Sequence, residues 1–190
     1  MQLFLSLLGV PHDVIDVDLA AGEHKSPTFL ARNPFGQVPV LEDGELTFAD
    51  SNAILTYLAD RYDAGGSWYP MQPEARARVQ RWLSVAAGEL KSGPADARLV
   101  TVFGAGLDHE RAKTIATRLF DVFEAELAIG PFLVGDTPTI ADIATYAYVA
   151  HAPEGGVSLD PYPRIRAWLA RVESLDQFVP MTPTAVGLAA

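Results

Sequence analysis

The sequence predicts an α/β unit followed by an all-α unit. The first observation behind this is the stretch Asn33 to Tyr62, NPFGQVPVLEDGELTFADSNAILTYLADRY, which reads as a hairpin feeding a helix. The second is DAGGSWYPMQ (63 to 72), which gathers Gly, Ser and Pro without periodicity and reads as a linker. The third is that every patterned segment beyond it repeats at helical spacing. The expected division is residues 1–63, a linker at 64–72 and a helical domain at 73–190, and a 190-residue chain is long enough for a substantial core.

Residues 2 to 8 read as the end of an amphipathic helix, with Gly9 closing it and Pro11 just beyond. VIDVDL (Val14 to Leu19) alternates apolar and polar residues, which predicts a strand. Ser26-Pro27 opens a short helix, Ser26 capping and Pro27 at the first helical position. Gln37 to Leu41 predicts a second strand, with Pro39 near its start because proline cannot donate to a ladder. Asp43-Gly44 signals a hairpin, and Leu46 and Phe48 alternate along its returning strand. Asp50-Ser51 then opens a helix carrying Ile54, Leu55 and Leu58.

In the second unit, Pro73 opens a helix whose Val79, Trp82, Leu83, Ala86 and Leu90 share a face, and Gly93-Pro94 interrupts or ends it. From Asp108 a long helix places Ala112, Ile115, Leu119, Phe123 and Leu127 at heptad-like spacing. Thr139 and Asp142 fit a capping box at the next helix start, so Asp142 reads as structural and not as a site residue. Asp160 to Leu175 predicts a last helix with Ile165, Trp168, Leu169 and Val172 inward.

Composition narrows the function. A net charge of −10 with no run of Lys or Arg argues against nucleic acid and anionic membranes, which need a cationic face. The chain has no cysteine, which excludes disulfides and thiolate metal sites. His12, His24, His109 and His151 are scattered, and no metal is expected. Phosphate-loop, dinucleotide and nucleophile-elbow motifs are absent from the sequence. MQLFLSLLGV lacks the basic lead and cleavage site of a signal peptide and is too short to cross a bilayer, so a cytoplasmic location is expected.

One constellation carries chemistry. A helix N-terminus offers unpaired N–H groups and positive dipole, Ser51 adds a hydroxyl and Asp50 a carboxylate. Together these suit the carboxylate and ammonium of an α-amino acid, although the same two residues also make an ordinary N-cap. Taken alone, His24 and Lys25 read as solvated surface, Gln37 as an exposed strand residue and Pro39 as a trans proline on an edge strand.

The order of these elements resembles the glutathione-binding domain of the cytosolic glutathione S-transferases, nearest to the phi class and similar bacterial enzymes. The matching residues are GEHKSP (Gly22 to Pro27), NPFGQVPVL (Asn33 to Leu41) and ADSNAI (Ala49 to Ile54), and the likeness extends to about Ala190. It implies a thioredoxin-like first domain and a helical-bundle second domain. A further strand, and the catalytic Ser, Tyr or Cys after it, would lie before Met1; Ser6, well inside the first helix, is no substitute. The resemblance further implies a cis Val38-Pro39 bond that turns the Val38 backbone toward the ligand's cysteine, as in strand addition. His24 and Lys25 would reach the glycine carboxylate, Gln37 would hydrogen-bond the peptide, and Asp50 (where Glu is commoner) with Ser51 would hold the γ-glutamyl head.

The activity so implied is conjugation of the glutathione thiolate, as co-substrate, to a small apolar electrophile by a homodimer. Two alternatives use the same scaffold: a noncatalytic glutathione-binding or protein-interaction homologue, and a glutathione-dependent reductase or isomerase.

Overall fold

The computed structural model describes residues 1–186. Helix α1 (Gln2–Leu7) buries Phe4 and Leu5 and closes as the sequence expects. Gly9 takes φ 64, donating to the Ser6 carbonyl at 2.8 Å, while Val10 N–H donates to Leu5 at 3.0 Å. That reciprocal pair is the Schellman closure, which requires a left-handed residue where Gly9 stands. Helix α2 (Pro27–Arg32) begins with Pro27 at its first turn and the Ser26 hydroxyl accepting from Phe29 N–H at 3.2 Å.

VIDVDL is not a strand. It runs without regular structure, with Val14 and Ile15 56% and 78% exposed, and pairs with no strand among the described residues. Alternation makes a segment fit a half-buried sheet, but a ladder also needs a neighbour at about 4.8 Å. An open groove of about 750 Å³ separates this segment from the first strand.

That strand, β1 (Val40–Asp43), starts three residues later than the sequence suggests. Pro39 has no N–H to give, and the Gln37 carbonyl is already taken by the Asn33 side chain at 2.7 Å. Strand β2 (Leu46–Ala49) pairs antiparallel with it, Val40 opposite Ala49 and Asp43 opposite Leu46. Gly44, at φ 61, and Glu45 form the two-residue turn. Leu41 and Phe48 face the core, and Phe48 stacks on Tyr57 of helix α3 (Ser51–Tyr62) at 4.2 Å.

Residues 63–72 carry no helix or strand, but they are tied down at Trp68. Its N–H donates to Asp63, its carbonyl accepts from Ile140 N–H at 2.9 Å, and its ring meets Phe4 edge-on at 5.3 Å.

Helix α4 (Pro73–Val85) does not end at Gly93-Pro94. It widens into a π-helix over Ala86–Ala95 and continues as α5 (Asp96–Phe103). Proline inside an α-helix clashes with the carbonyl four residues back, and π spacing removes that register. Gly93 is required by packing, since a Cβ there would lie 2.9 Å from the Ala116 backbone nitrogen of helix α6 (His109–Glu126).

Helix α7 (Ile140–Ala150) starts with the expected capping box. Asp142 accepts from Thr139 N–H (2.9 Å), Leu133 N–H (3.1 Å) and Trp168 Nε1–H (2.8 Å). Burial pushes its carboxyl above the ordinary range, and these donors pull it part of the way back. Helix α8 (Pro163–Glu173) has no cap of its own side chain; Glu124 of α6 accepts its Arg164 and Ile165 N–H groups at 3.0 Å. The helical core is threaded by edge-to-face contacts from Trp82 to Phe123 (4.8 Å) and from Phe123 to Trp168 (5.1 Å).

Candidate functional site

The hairpin register assembles the site. The last pair of the ladder is Val40 opposite Ala49, so the Val38-Pro39 and Asp50-Ser51 segments leave the hairpin at the same end. Two distant sequence motifs thus meet at one end of a four-residue ladder.

Asp50 is the N-cap of α3, as the sequence indicates. Its Oδ1 accepts from the N–H groups of Asn52 and Ala53, both at 2.9 Å. Its backbone adopts φ 77 and ψ 123, a conformation that L-residues rarely take and that costs on the order of 1–3 kcal/mol. Among the described residues, Asp50 Oδ2 and the exposed Ser51 hydroxyl have no hydrogen-bond partner. Asn52 also donates through its side chain to the Leu83 carbonyl at 2.8 Å, joining the start of α3 to the end of α4.

Val38 is 45% exposed, and its N–H and C=O form no hydrogen bond among the described residues. The Val38-Pro39 bond is cis, as the resemblance implies. Gln37 is exposed beside it.

His24 and Lys25 lie in a 3-10 turn, Glu23–Lys25, folded against this loop. The Lys25 ammonium donates to the Gly36 carbonyl at 3.1 Å and the Phe35 carbonyl at 3.4 Å. A Cβ on Gly36 would sit 2.8 Å from both the His24 carbonyl and Lys25 Nζ, so Gly36, at φ 59, lets the two segments touch. His24 Nδ1 is buried with no partner among the described residues. Lys25 and His24 thus touch the loop that leads into Gln37, Val38 and Pro39, and that loop leaves the hairpin at the same end as Asp50 and Ser51.

Other contributors have no local sequence signature of their role. Asn33, 2% exposed, donates to the Gln37 carbonyl and accepts from Phe35 N–H at 3.1 Å. Its Asn-Pro sequence signals a turn, but periodicity carries no sign of its burial. The Tyr62 and Tyr57 hydroxyls both donate to Asp43 Oδ2, at 2.6 and 2.7 Å, and hold its carboxyl below the usual range. They clamp the hairpin to α3. Among the described residues no group of His, Asp or Glu is arranged to hold a metal ion, and no helix is long and apolar enough to cross a membrane.

An exposed strand end lies beside a helix N-terminus, a carboxylate and an ammonium, an arrangement that suits an extended zwitterionic peptide. The fold and site together define a thioredoxin-like ligand-binding domain joined to a helical domain.

Comparison with known proteins agrees. Residues 1–60 match the family profile "Glutathione S-transferase, N-terminal domain", and residues 108–176 match "Glutathione S-transferase, C-terminal domain". The chain is 33% identical over 183 residues to human glutathione S-transferase theta-2, covering 92% of this chain and 75% of that protein. A glutathione S-transferase crystal structure from Pseudomonas fluorescens is 38% identical, with a TM-score of 0.85 over 94% of this chain and 90% of that one. A glutathione transferase homologue from Drosophila mojavensis with bound glutathione is 31% identical, with a TM-score of 0.80 over 92% and 81%. The chain belongs to the glutathione S-transferase family, and glutathione conjugation is the activity this membership carries.

Proposed function

We propose that this chain binds glutathione across the Val38–Ser51 junction and directs its thiolate at a small apolar electrophile. The observation that carries this reading is the exposed, unpaired Val38 backbone at the same end of the hairpin as the strained Asp50 cap. The peptide's cysteine pairs with Val38 as an added strand residue. Its γ-glutamyl carboxylate meets the α3 N–H groups and the Ser51 hydroxyl, while Asp50 Oδ2 accepts from its ammonium. Lys25 reaches the glycine carboxylate as a point charge, with His24 and Gln37 alongside. The thiolate is the attacking form, and the binding groups hold it in place for reaction. The bland alternative for Asp50, a cap and nothing more, leaves Oδ2 and the rare backbone conformation unexplained.

The domain limits 1–63 and 73–190 fit this division of labour, with residues 187–190 outside those described. A homodimer working in the cytoplasm, in detoxification, completes the reading. Phe35, 80% exposed, and a largely apolar groove of about 370 Å³, where Trp82, Val85, Ile115, Leu119 and Val122 are joined by Glu89 and Arg118, are surfaces a second copy would cover.

Calorimetric titration with glutathione tests the site. Saturable binding is expected, weakened about tenfold by Asp50→Ala and several-fold by Ser51→Ala, since hydrogen bonds to charged groups contribute about 1.5–3 kcal/mol and less remains where water competes. A folded protein that does not bind, or variants that bind unchanged, would remove the proposal.

A further inference from the structure

We infer that Asn33 is the positioning residue for the glutathione backbone: by holding the Gln37 carbonyl, it aims the Val38 N–H at the ligand. This rests on the reading that glutathione pairs with Val38.

The inference follows from one peptide plane. The Gln37 carbonyl and the Val38 N–H belong to the same peptide unit, which is trans, Val38-Pro39 being the cis bond among the described residues. In a planar trans unit the C=O and N–H point to opposite sides. The Asn33 side chain takes the carbonyl on the inner side at 2.7 Å. The Val38 N–H must then face outward, where it has no partner among the described residues. Rotation of this plane would turn the N–H away from a ligand strand and leave the buried Asn33 amide unsatisfied, so the loop is set before the ligand arrives.

Asn33 is itself firmly placed. Its own N–H donates to the Phe29 carbonyl of α2 at 2.9 Å, and its carbonyl accepts from Gly36 N–H at 2.9 Å. Its side-chain orientation is fixed by chemistry, because one amide atom faces a carbonyl and the other faces the Phe35 N–H. With 2% of its surface exposed, it cannot touch a peptide lying along the outer edge. It acts through Val38 and is not a catalytic residue.

Asn33→Asp is the discriminating variant. It preserves shape and the acceptor for Phe35, but turns an oxygen toward the Gln37 carbonyl. Wild type and variant are titrated with glutathione and with an analogue whose Cys–Gly amide is an ester, which weakens the cysteinyl carbonyl as an acceptor. The analogue also lacks the glycyl N–H, a loss common to both proteins that cancels in the comparison. Wild type is expected to bind the ester about fivefold more weakly than glutathione, the worth of one hydrogen bond. The variant is expected to bind glutathione about tenfold more weakly than wild type does, and to show little further loss with the ester. A variant that melts earlier yet keeps full affinity and the full ester penalty would make Asn33 a purely structural residue and overturn the inference.

Amide exchange at Val38 in the wild-type protein provides a second readout should the variant fail to fold. Exchange is expected to be fast in the free protein and slowed at least about tenfold by saturating glutathione, as a newly formed hydrogen bond requires. Unchanged exchange with glutathione bound would overturn the inference alone. Failure of wild type to bind glutathione at all would overturn the proposed function with it.

Discussion

The two halves of the chain are stabilised in different ways. Residues 1–62 build their candidate site from backbone groups and short elements: a hairpin of two four-residue strands, a 3-10 turn and a capped helix start. Its polar contacts lie largely at the surface, and the exposed Val38, Asp50 and Ser51 lean on a thin layer of Phe4, Leu5, Phe29, Ile54, Leu55 and Leu58. The helical half buries Trp82, Phe120, Phe123, Ile140, Ile165 and Trp168 almost completely and satisfies its buried polar groups inside that core. On the proposed reading, ligand-facing backbone has to stay unpaired and exposed until the ligand comes, so the half proposed to bind cannot also be the half that is best packed. The densest packing lies in the second half, and the strained backbone of Asp50 lies in the first.

Removing the centre of the helical core should give the largest effect. Trp168→Ala deletes a fully buried side chain, its edge contact with Phe123 and its hydrogen bond to the buried Asp142. A loss of about 3–5 kcal/mol is expected, enough to unfold a marginal domain, and denaturant melts followed by circular dichroism would measure it. A loss below about 1 kcal/mol would mean that the helical half is not where the stability lies.

The next effect is electrostatic and depends on pH. Arg98 Nε and His151 Nδ1 both lie 2.6 Å from the Glu154 carboxylate, whose side chain is only 14% exposed, and Thr184 N–H donates to it at 3.2 Å. Burial raises the Glu154 pKa, but the hydrogen bonds from His151, Arg98 and Thr184 and the Arg98 charge outweigh it and hold the carboxyl below its ordinary 4.5. A depressed folded value means the contribution is complete above the unfolded value and is lost as pH falls from about 4.5 toward the folded one. Glu154→Gln is therefore expected to cost about 2–3 kcal/mol near neutrality, since one partner of a buried pair is neutralised. The stability of the variant should also fall less steeply below pH 4.5. Asp43 is depressed as well, by Tyr62 and Tyr57, so some acid slope remains in both proteins. Parallel acid slopes in wild type and variant would remove Glu154 from the account.

What the sequence made legible differs between the halves for the same physical reason. Helical periodicity reports burial, so α6 and α8 and most of their core residues could be read from spacing, although Ile115 lines an open groove and Ala116 and Phe120 fill the core. The start of α7 could be read from the three-residue Thr139–Asp142 separation. In the first half, turn residues carried most of the signal: Gly9, Ser26-Pro27, Gly44 and Asp50 each sit where their chemistry places them. VIDVDL failed because alternation records which faces a strand would have, not whether a neighbour exists. The π-helix escaped detection because Gly93-Pro94 stops an α-helix, whereas the close approach of Ala116 that selects Gly93 is a tertiary fact. Asn33 and Asn52 escaped for a related reason: each works by reaching a carbonyl, of Gln37 and of Leu83, that no local pattern announces.

The smallest effect should also have the opposite sign, and it bears most directly on the proposed trade between binding and packing. Asp50 holds φ 77, a positive value that costs glycine less than any residue with a Cβ, yet its carboxylate caps α3. Replacing an Asp cap by Gly costs only a few tenths of a kcal/mol, whereas relief of the backbone returns roughly 1 kcal/mol or more. Asp50→Gly is therefore expected to melt slightly higher than wild type, by a net of about 0.5–1 kcal/mol, while binding glutathione more weakly for want of Oδ2. Asp50→Ala keeps the strain and loses the cap, so it should fall below both in stability. A glycine variant less stable than the alanine one would show that the backbone at Asp50 is not strained. If the glycine variant instead gained stability and kept full affinity, the Asp50 carboxylate would serve the helix alone, and the ligand's ammonium would have to be held elsewhere.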